Sequence, residues 1–157
     1  MTDTPDTPDT PDPTRAAARQ VFLDHLDLLT SGRAEEWTEL FTEDGVLEFP
    51  YAPPGYPTRL QGRGELFAHI ANFPKAFRLE MKDVRIHETV DPTLVIAELR
   101  SDGIALETGR PYNQSYISVV ETVDGKISRY VDYWNPLVAM DSLGGSADDM
   151  ITAFGAG

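Results

Sequence analysis

Two alternating runs joined by a two-residue turn constrain this chain more than any other feature. They are "YNQSYISVVETV" (112–123) and "KISRYVDYWN" (126–135), with only Asp124-Gly125 between them. Both are rich in β-branched and aromatic residues. Asp-Gly supplies the turn whose backbone twist matches a right-twisted antiparallel pair. The turn pairs Val123 with Lys126. Extended along the hairpin, that register sets Asp132 opposite Ile117, in a row with Ser115, Val119, Tyr130 and Trp134. The opposite row holds Tyr112, Gln114, Tyr116, Ser118, Val131 and Tyr133. If the row of Asp132 faces a core, the carboxyl loses hydration, its pKa rises, and it becomes a usable general acid or base. If the row faces solvent or a second subunit, Asp132 is an ordinary surface acid.

The rest of the chain supplies what such a hairpin needs to pack against. Val21, Phe22, His25, Leu26 and Leu29 recur at helical spacing, predicting a helix over 15–31 that Thr14 caps and Gly32 ends. A short second helix buries Ala34, Trp37, Leu40 and Phe41. "GVLEFP" (45–50) reads as a strand, and the Pro/Gly-rich "YAPPGYPTRLQG" (51–62) as a fixed loop. A third helix covers 65–73 and stops at Pro74. "FRLEM" (77–81) and "VRIHE" (84–88) alternate out of phase, which predicts a bulge at Lys82-Asp83. "TLVIAELR" (93–100) is a further strand after a turn at Asp91-Pro92. The order of elements predicts an α+β fold, with three N-terminal helices on one face of a curved antiparallel sheet.

Both ends are read as lying outside this domain. "TDTPDTPDTPDP" is a Thr/Pro/Asp repeat, so residues 1–13 are expected to form a disordered tail, with the domain over 14–144. Residues 145–157 are expected to be a loose tail in which Met150, Ile151 and Phe154 are the residues able to dock.

Charge and residue usage exclude several functions. The net charge is −13, and Asp3, Asp6, Asp9 and Asp12 contribute to it from the opening repeat. Nucleic acid and anionic membranes are therefore not expected partners. There is no cysteine, so disulfides and thiolate metal sites are ruled out. His25, His69 and His87 lack metal-ligand spacing, and no metal or other cofactor is expected. No apolar run approaches the ~20 residues of a membrane helix, and no signal-peptide pattern opens the chain. A cytoplasmic protein is expected. Nucleophile-elbow, phosphate-loop and dinucleotide patterns are missing.

A few polar residues stand out against this background. His69 lies between Leu66 and Ile70 on the third helix and is the best placed proton shuttle, unless it is simply a surface helix histidine. His25 shares the apolar face of the first helix. His87 reads as exposed. Tyr51, Tyr56, Tyr112, Asn113, Tyr116 and Asn135 are able to hydrogen-bond a ligand. Trp37 and Trp134 offer apolar walls. Glu98, amid "VIAELR", is either a ligand contact or a salt-bridge partner of Arg85 or Arg100.

Taken together, "LFTEDGVLEFP", "LQGRGELFAHI" and "YVDYWNPLVAMDSLG" resemble the nuclear transport factor 2-like superfamily over residues 14–144. That resemblance implies a cone-shaped sheet enclosing a pocket, in a superfamily that includes ketosteroid isomerase and the SnoaL-like polyketide cyclases. "VRIHETVDP" (84–92), "YNQSYI" (112–117), "VDGKISR" (123–129) and "NPLVAMDSLG" (135–144) look most like the phenazine-biosynthesis A/B group. In that likeness Asp132 takes the place of a glutamate three residues before Asn-Pro, and His69 matches the acid–base histidine. Trp37 falls where the group carries an arginine, implying a less anionic substrate.

The resemblance implies a cofactor-free acid/base enzyme. Asp132 and His69 would be catalytic, and Tyr51, Asn113, Tyr116, Trp134, Trp37, Glu98 and His25 would contact a small hydrophobic or aromatic carbonyl metabolite. Condensation, cyclisation, dehydration and isomerisation in specialised metabolism are the reactions it suggests. A non-catalytic binding or scaffold protein of the same fold is the alternative, and a homodimer paired through Tyr112, Val131 and Tyr133 is compatible with either.

Overall fold

The structure, a computed structural model, describes residues 12–154. The expected tail lies mostly outside the described residues, but its end is helical. Helix α1 spans Pro13–Thr30, and the carboxylate of Asp12 accepts the backbone N–H of Thr14 and of Arg15. Asp12 is therefore the cap, not Thr14, because Pro13 has no N–H to lose and its fixed φ suits the first helical turn. One face of α1 buries Ala18, Val21, Phe22, His25 and Leu26.

Helix α2 (Ala34–Glu39) ends at Leu40, and Phe41 opens strand β1 (Phe41–Glu48). The loop expected over 51–62 contains a short strand β2 (Arg59–Gln61), paired antiparallel with β1. Helix α3 covers Arg63–Ile70. Pro74 begins a four-residue helix α4 (Phe73–Ala76) instead of only stopping its predecessor.

Four long strands follow: β3 (Phe77–His87), β4 (Leu94–Ala105), β5 (Gln114–Val123) and β6 (Lys126–Trp134). The sheet order is β2-β1-β6-β5-β4-β3. The sheet is mixed, since β1 runs parallel to β6 with Leu47 beside Tyr130. Strands far apart in sequence are not bound to hairpin direction, and the antiparallel expectation overlooked that. Sheet and helices together make the expected α+β fold around one core, which includes Phe22, Trp37, Phe41, Leu66, Val120 and Ile127.

Two of the sheet's three register shifts among the described residues set the side-chain rows that reach the site. One lies between Lys82 and Arg85, where Asp83 has φ 53°, at the slip the sequence shows. The other is in the hairpin itself. Asp124 and Gly125 take φ 49° and 76°, as the two-residue turn demands, and Val123 pairs with Lys126. Thr122 then pairs with Ile127 but Glu121 with Arg129, leaving Ser128 as an extra residue. The register moves by one, and Asp132 faces Ser118 rather than Ile117. Ile117 turns outward and is 46 % exposed. Gln114, Ser118 and Tyr112 are buried instead of forming an outer row, and Tyr112 is lost to any outer dimer patch. Val131 remains on the outer face but is buried between Val119 and Glu48.

The segment expected to be loose is ordered through residue 154. Helix α5 (Pro136–Leu143) leads through Gly144 and Gly145, both at positive φ, to helix α6 (Ala147–Ala153), which Ser146 caps. Met150 and Phe154 lie four residues apart, so both point to one side, and both are buried. Asn72 donates its side-chain N–H to the carbonyl of Phe154 at 2.9 Å. Among the described residues no helix is long and apolar enough to cross a membrane.

Candidate active site

The space between the inner face of the sheet and α1, α2, α3 and α6 is a cavity of about 70 Å³. The hairpin bulge delivers Asp132 into it. Asp132 is half-buried and lines the cavity. Its Oδ1 is buried without a hydrogen-bond partner among the described residues. Loss of hydration raises its pKa to about 7. No lysine or arginine lines the cavity, and Asp132 is its only carboxyl group among the described residues.

The hydroxyls around Asp132 are largely committed elsewhere. Those of Ser118 and Tyr130 lie 2.6 Å apart, and those of Ser101 and Tyr116 3.0 Å apart. Burial pushes the Tyr112 phenol up to about 12 and raises those of Tyr56, Tyr116 and Tyr130 as well, so all four stay protonated.

His69 projects from α3 into the same cavity. Its Nε2 is 3.4 Å from the Tyr56 hydroxyl, and its ring stacks on Phe154 at 5.2 Å and 14°. Burial lowers its pKa to about 4, so it is neutral at pH 7. No hydrogen bond or ion pair joins it to Asp132. The two share a chamber, and a molecule between them would have to carry the proton.

His25 and Trp37 form the far wall. Trp37 donates its indole N–H to His25 Nδ1 at 2.6 Å, and burial lowers the pKa of the imidazole to about 3. Tyr116 and Trp134 also line the cavity as expected.

Three expected ligand contacts lie elsewhere. Tyr51 is 60 % exposed and packs edge-on against Tyr133, outside the cavity. Asn113 is exposed, and its side-chain oxygen accepts the N–H of Gly103. Glu98 lies on the outer face and meets His87 at 2.6 Å; its inward neighbours Ala97 and Leu99 are what gave it an apolar setting in the sequence. His87 is part-exposed. Conversely, Tyr56, Tyr112, Ser118 and Phe154 line the cavity without having been singled out strongly. The one signal available for Tyr56 and Phe154 was an aromatic in an otherwise polar or Pro-rich segment.

Residues 22–130 match the SnoaL-like domain. An uncharacterised PhzA/B-like protein of Pseudomonas aeruginosa is 46 % identical over 128 residues, which cover 82 % of this chain and 91 % of that protein. The phenazine biosynthesis protein PhzB of Pseudomonas fluorescens is 31 % identical over 68 % of each chain. Among solved structures, a proposed isomerase from Bacillus subtilis is 42 % identical, with a TM-score of 0.82 over 85 % of this chain and 96 % of that one.

Proposed function

Because this chain belongs to the SnoaL-like family of the nuclear transport factor 2-like superfamily, we propose that it is a cofactor-free acid–base enzyme acting on a small carbonyl- or imine-bearing metabolite. The observation that carries this reading is the unpartnered, enclosed Oδ1 of Asp132. An orphaned buried carboxyl costs stability, and a site that binds a ligand through it recovers that cost. With its pKa near neutrality, Asp132 is present in both forms at pH 7 and can take or return a proton beside the carbonyl.

Neutral His69 is the acceptor when Asp132 delivers its proton, with Tyr56 within reach of its Nε2. Tyr116 and Trp134 position the ligand, and the aromatic wall excludes water. Isomerisation, cyclisation, condensation and dehydration all need this pair of proton transfers. The chain's likeness to a phenazine biosynthesis protein and to a proposed isomerase supports that range.

Positioned proton transfer gives ~10²–10⁴-fold. Asp132→Asn and His69→Ala should therefore each lower turnover of a carbonyl substrate by roughly 10²-fold or more. Turnover unchanged in both variants would defeat this mechanism. The outward Ile117, with Tyr51 and Tyr133 on the same face, supports a homodimer; sedimentation velocity reports it directly.

A further inference from the structure

We propose that His25 is the donor that recognises the ligand's oxygen: Trp37 holds the ring as its Nε2–H tautomer, and that N–H is offered to the carbonyl of an uncharged ligand. The argument starts from the 2.6 Å bond between Trp37 Nε1 and His25 Nδ1. An indole nitrogen only donates. His25 Nδ1 must therefore present its lone pair, and the ring's proton must sit on Nε2. An imidazolium would set two N–H groups head to head. Burial acts in the same direction, since it disfavours the charged ring.

Nothing among the described residues accepts from Nε2. Asp132 Oδ1 is the one described side-chain atom that is both sealed and unpartnered. The Nε2 of His25 is equally without a partner but is not sealed, so it borders the cavity that His25 lines. Its place relative to Asp132 suits a reacting carbonyl. The His25 ring lies 4.8 Å from the ring of Tyr130, and Asp132 follows Tyr130 by two residues on the same strand face. A fixed neutral donor and a proton-exchanging carboxyl thus flank one phenol. A neutral imidazole polarises a carbonyl oxygen without giving up its proton.

The ligand's charge follows from the wall. With no lysine or arginine lining the cavity, a carboxylate or phosphate entering it would lose its hydration without gaining a counter-ion. One N–H does not offset that cost. The class that fits is an uncharged ketone, aldehyde or quinone.

This inference rests on the acid–base reading only in placing the ligand in this cavity, and the test separates the two. The full chain, labelled with ¹⁵N-histidine and ¹³C-aspartate, is titrated with acetophenone and with benzoate, its charged isostere. The expected spectrum shows His25 Nδ1 bare and Nε2 protonated from pH 5 to 8. Acetophenone should move the Nε2 proton downfield, and benzoate should not. Trp37→Phe should let both tautomers of His25 appear, and Trp37→Phe and His25→Phe should each weaken acetophenone about tenfold. If His25→Phe does not fold, the tautomer readings and Trp37→Phe decide. A proton on Nδ1, or an Nε2–H indifferent to acetophenone while Asp132 responds, overturns the role of His25 and leaves the acid–base reading intact. Benzoate binding as well as acetophenone, or neither binding, overturns the uncharged-carbonyl class.

Discussion

Asp132 stands directly across the β5–β6 pair from Ser118, and the hydroxyl of Ser118 is already taken by Tyr130 at 2.6 Å. The two hydroxyls satisfy one another and neither reaches the carboxyl, whose Oδ1 stays buried without a partner, and burial keeps the acid weak. The hairpin thus tunes the group it delivers.

Breaking that arrangement should retune the acid. Tyr130→Phe removes the partner of the Ser118 hydroxyl, which can then turn to donate to the carboxylate, so the pKa of Asp132 should fall below its present value. Ser118→Ala should leave it near its present value of about 7. Side-chain ¹³C shifts of Asp132 against pH read both.

Stability should carry the signature of the cavity groups. The raised pKa of Asp132 contributes stability that is complete below its unfolded value of 3.8 and is lost as pH rises through about 7. The lowered values of His25 and His69 contribute stability present above 6.5 and lost as pH falls toward about 3 and about 4. Between pH 4 and 6.5 the unfolded chain holds two protons on these histidines and the folded chain one on Asp132. The three groups therefore raise stability with pH, with a slope set by a difference of one bound proton. Asp132→Asn should about double that slope, and His25→Phe should flatten it to near zero. Urea unfolding of wild type and variants across this range gives the difference.

Helix α6 should govern His69. Phe154 covers the imidazole and also touches Tyr56 and Phe77. Phe154→Ala should cost about 3 kcal/mol and let the pKa of His69 climb from about 4 toward 6.5. The His69 ring-proton shift, followed against pH, is the check.

The outer residues should be silent in turnover. Tyr51, Asn113 and Glu98 do not line the cavity, so Tyr51→Phe, Asn113→Ala and Glu98→Gln should each keep kcat/KM within about twofold, as surface changes away from a site usually do. A loss as large as that of Asp132→Asn in steady-state kinetics would count against the placement of the site.

Much of the fold was legible because local chemistry decided it. Asp124-Gly125 fixed a turn, the phase slip at Lys82-Asp83 marked a bulge, and the stripe from Val21 to Leu29 marked a helix. The bulge at Ser128 did leave a trace, since Ser128 and Arg129 are both polar between the apolar Ile127 and Tyr130, but extending the turn's register evenly along the hairpin passed over that slip. Asp132 still faced the core, but with Ser118 and Tyr116 beside it rather than Ile117. Helix α6 was hidden because "GGSADDMITAF" is polar apart from Met150, Ile151 and Phe154, and those make sense only against a cavity built from distant elements. Glu98 misled for the opposite reason: its apolar neighbours point inward while it points out. The shared cavity of Asp132 and His69 matches the expectation from residue type and resemblance, but the Trp37–His25 bond depends on two helices meeting.

The titration of Asp132 in the full, unmodified chain bears most directly on the proposed enzyme. Its side-chain carboxyl ¹³C resonance, followed from pH 3 to 9, should show a midpoint near 7, as the enclosed and unpartnered carboxyl requires. A midpoint near 4, the ordinary aspartate value, would mean that the group is solvated, and the acid–base account would fail.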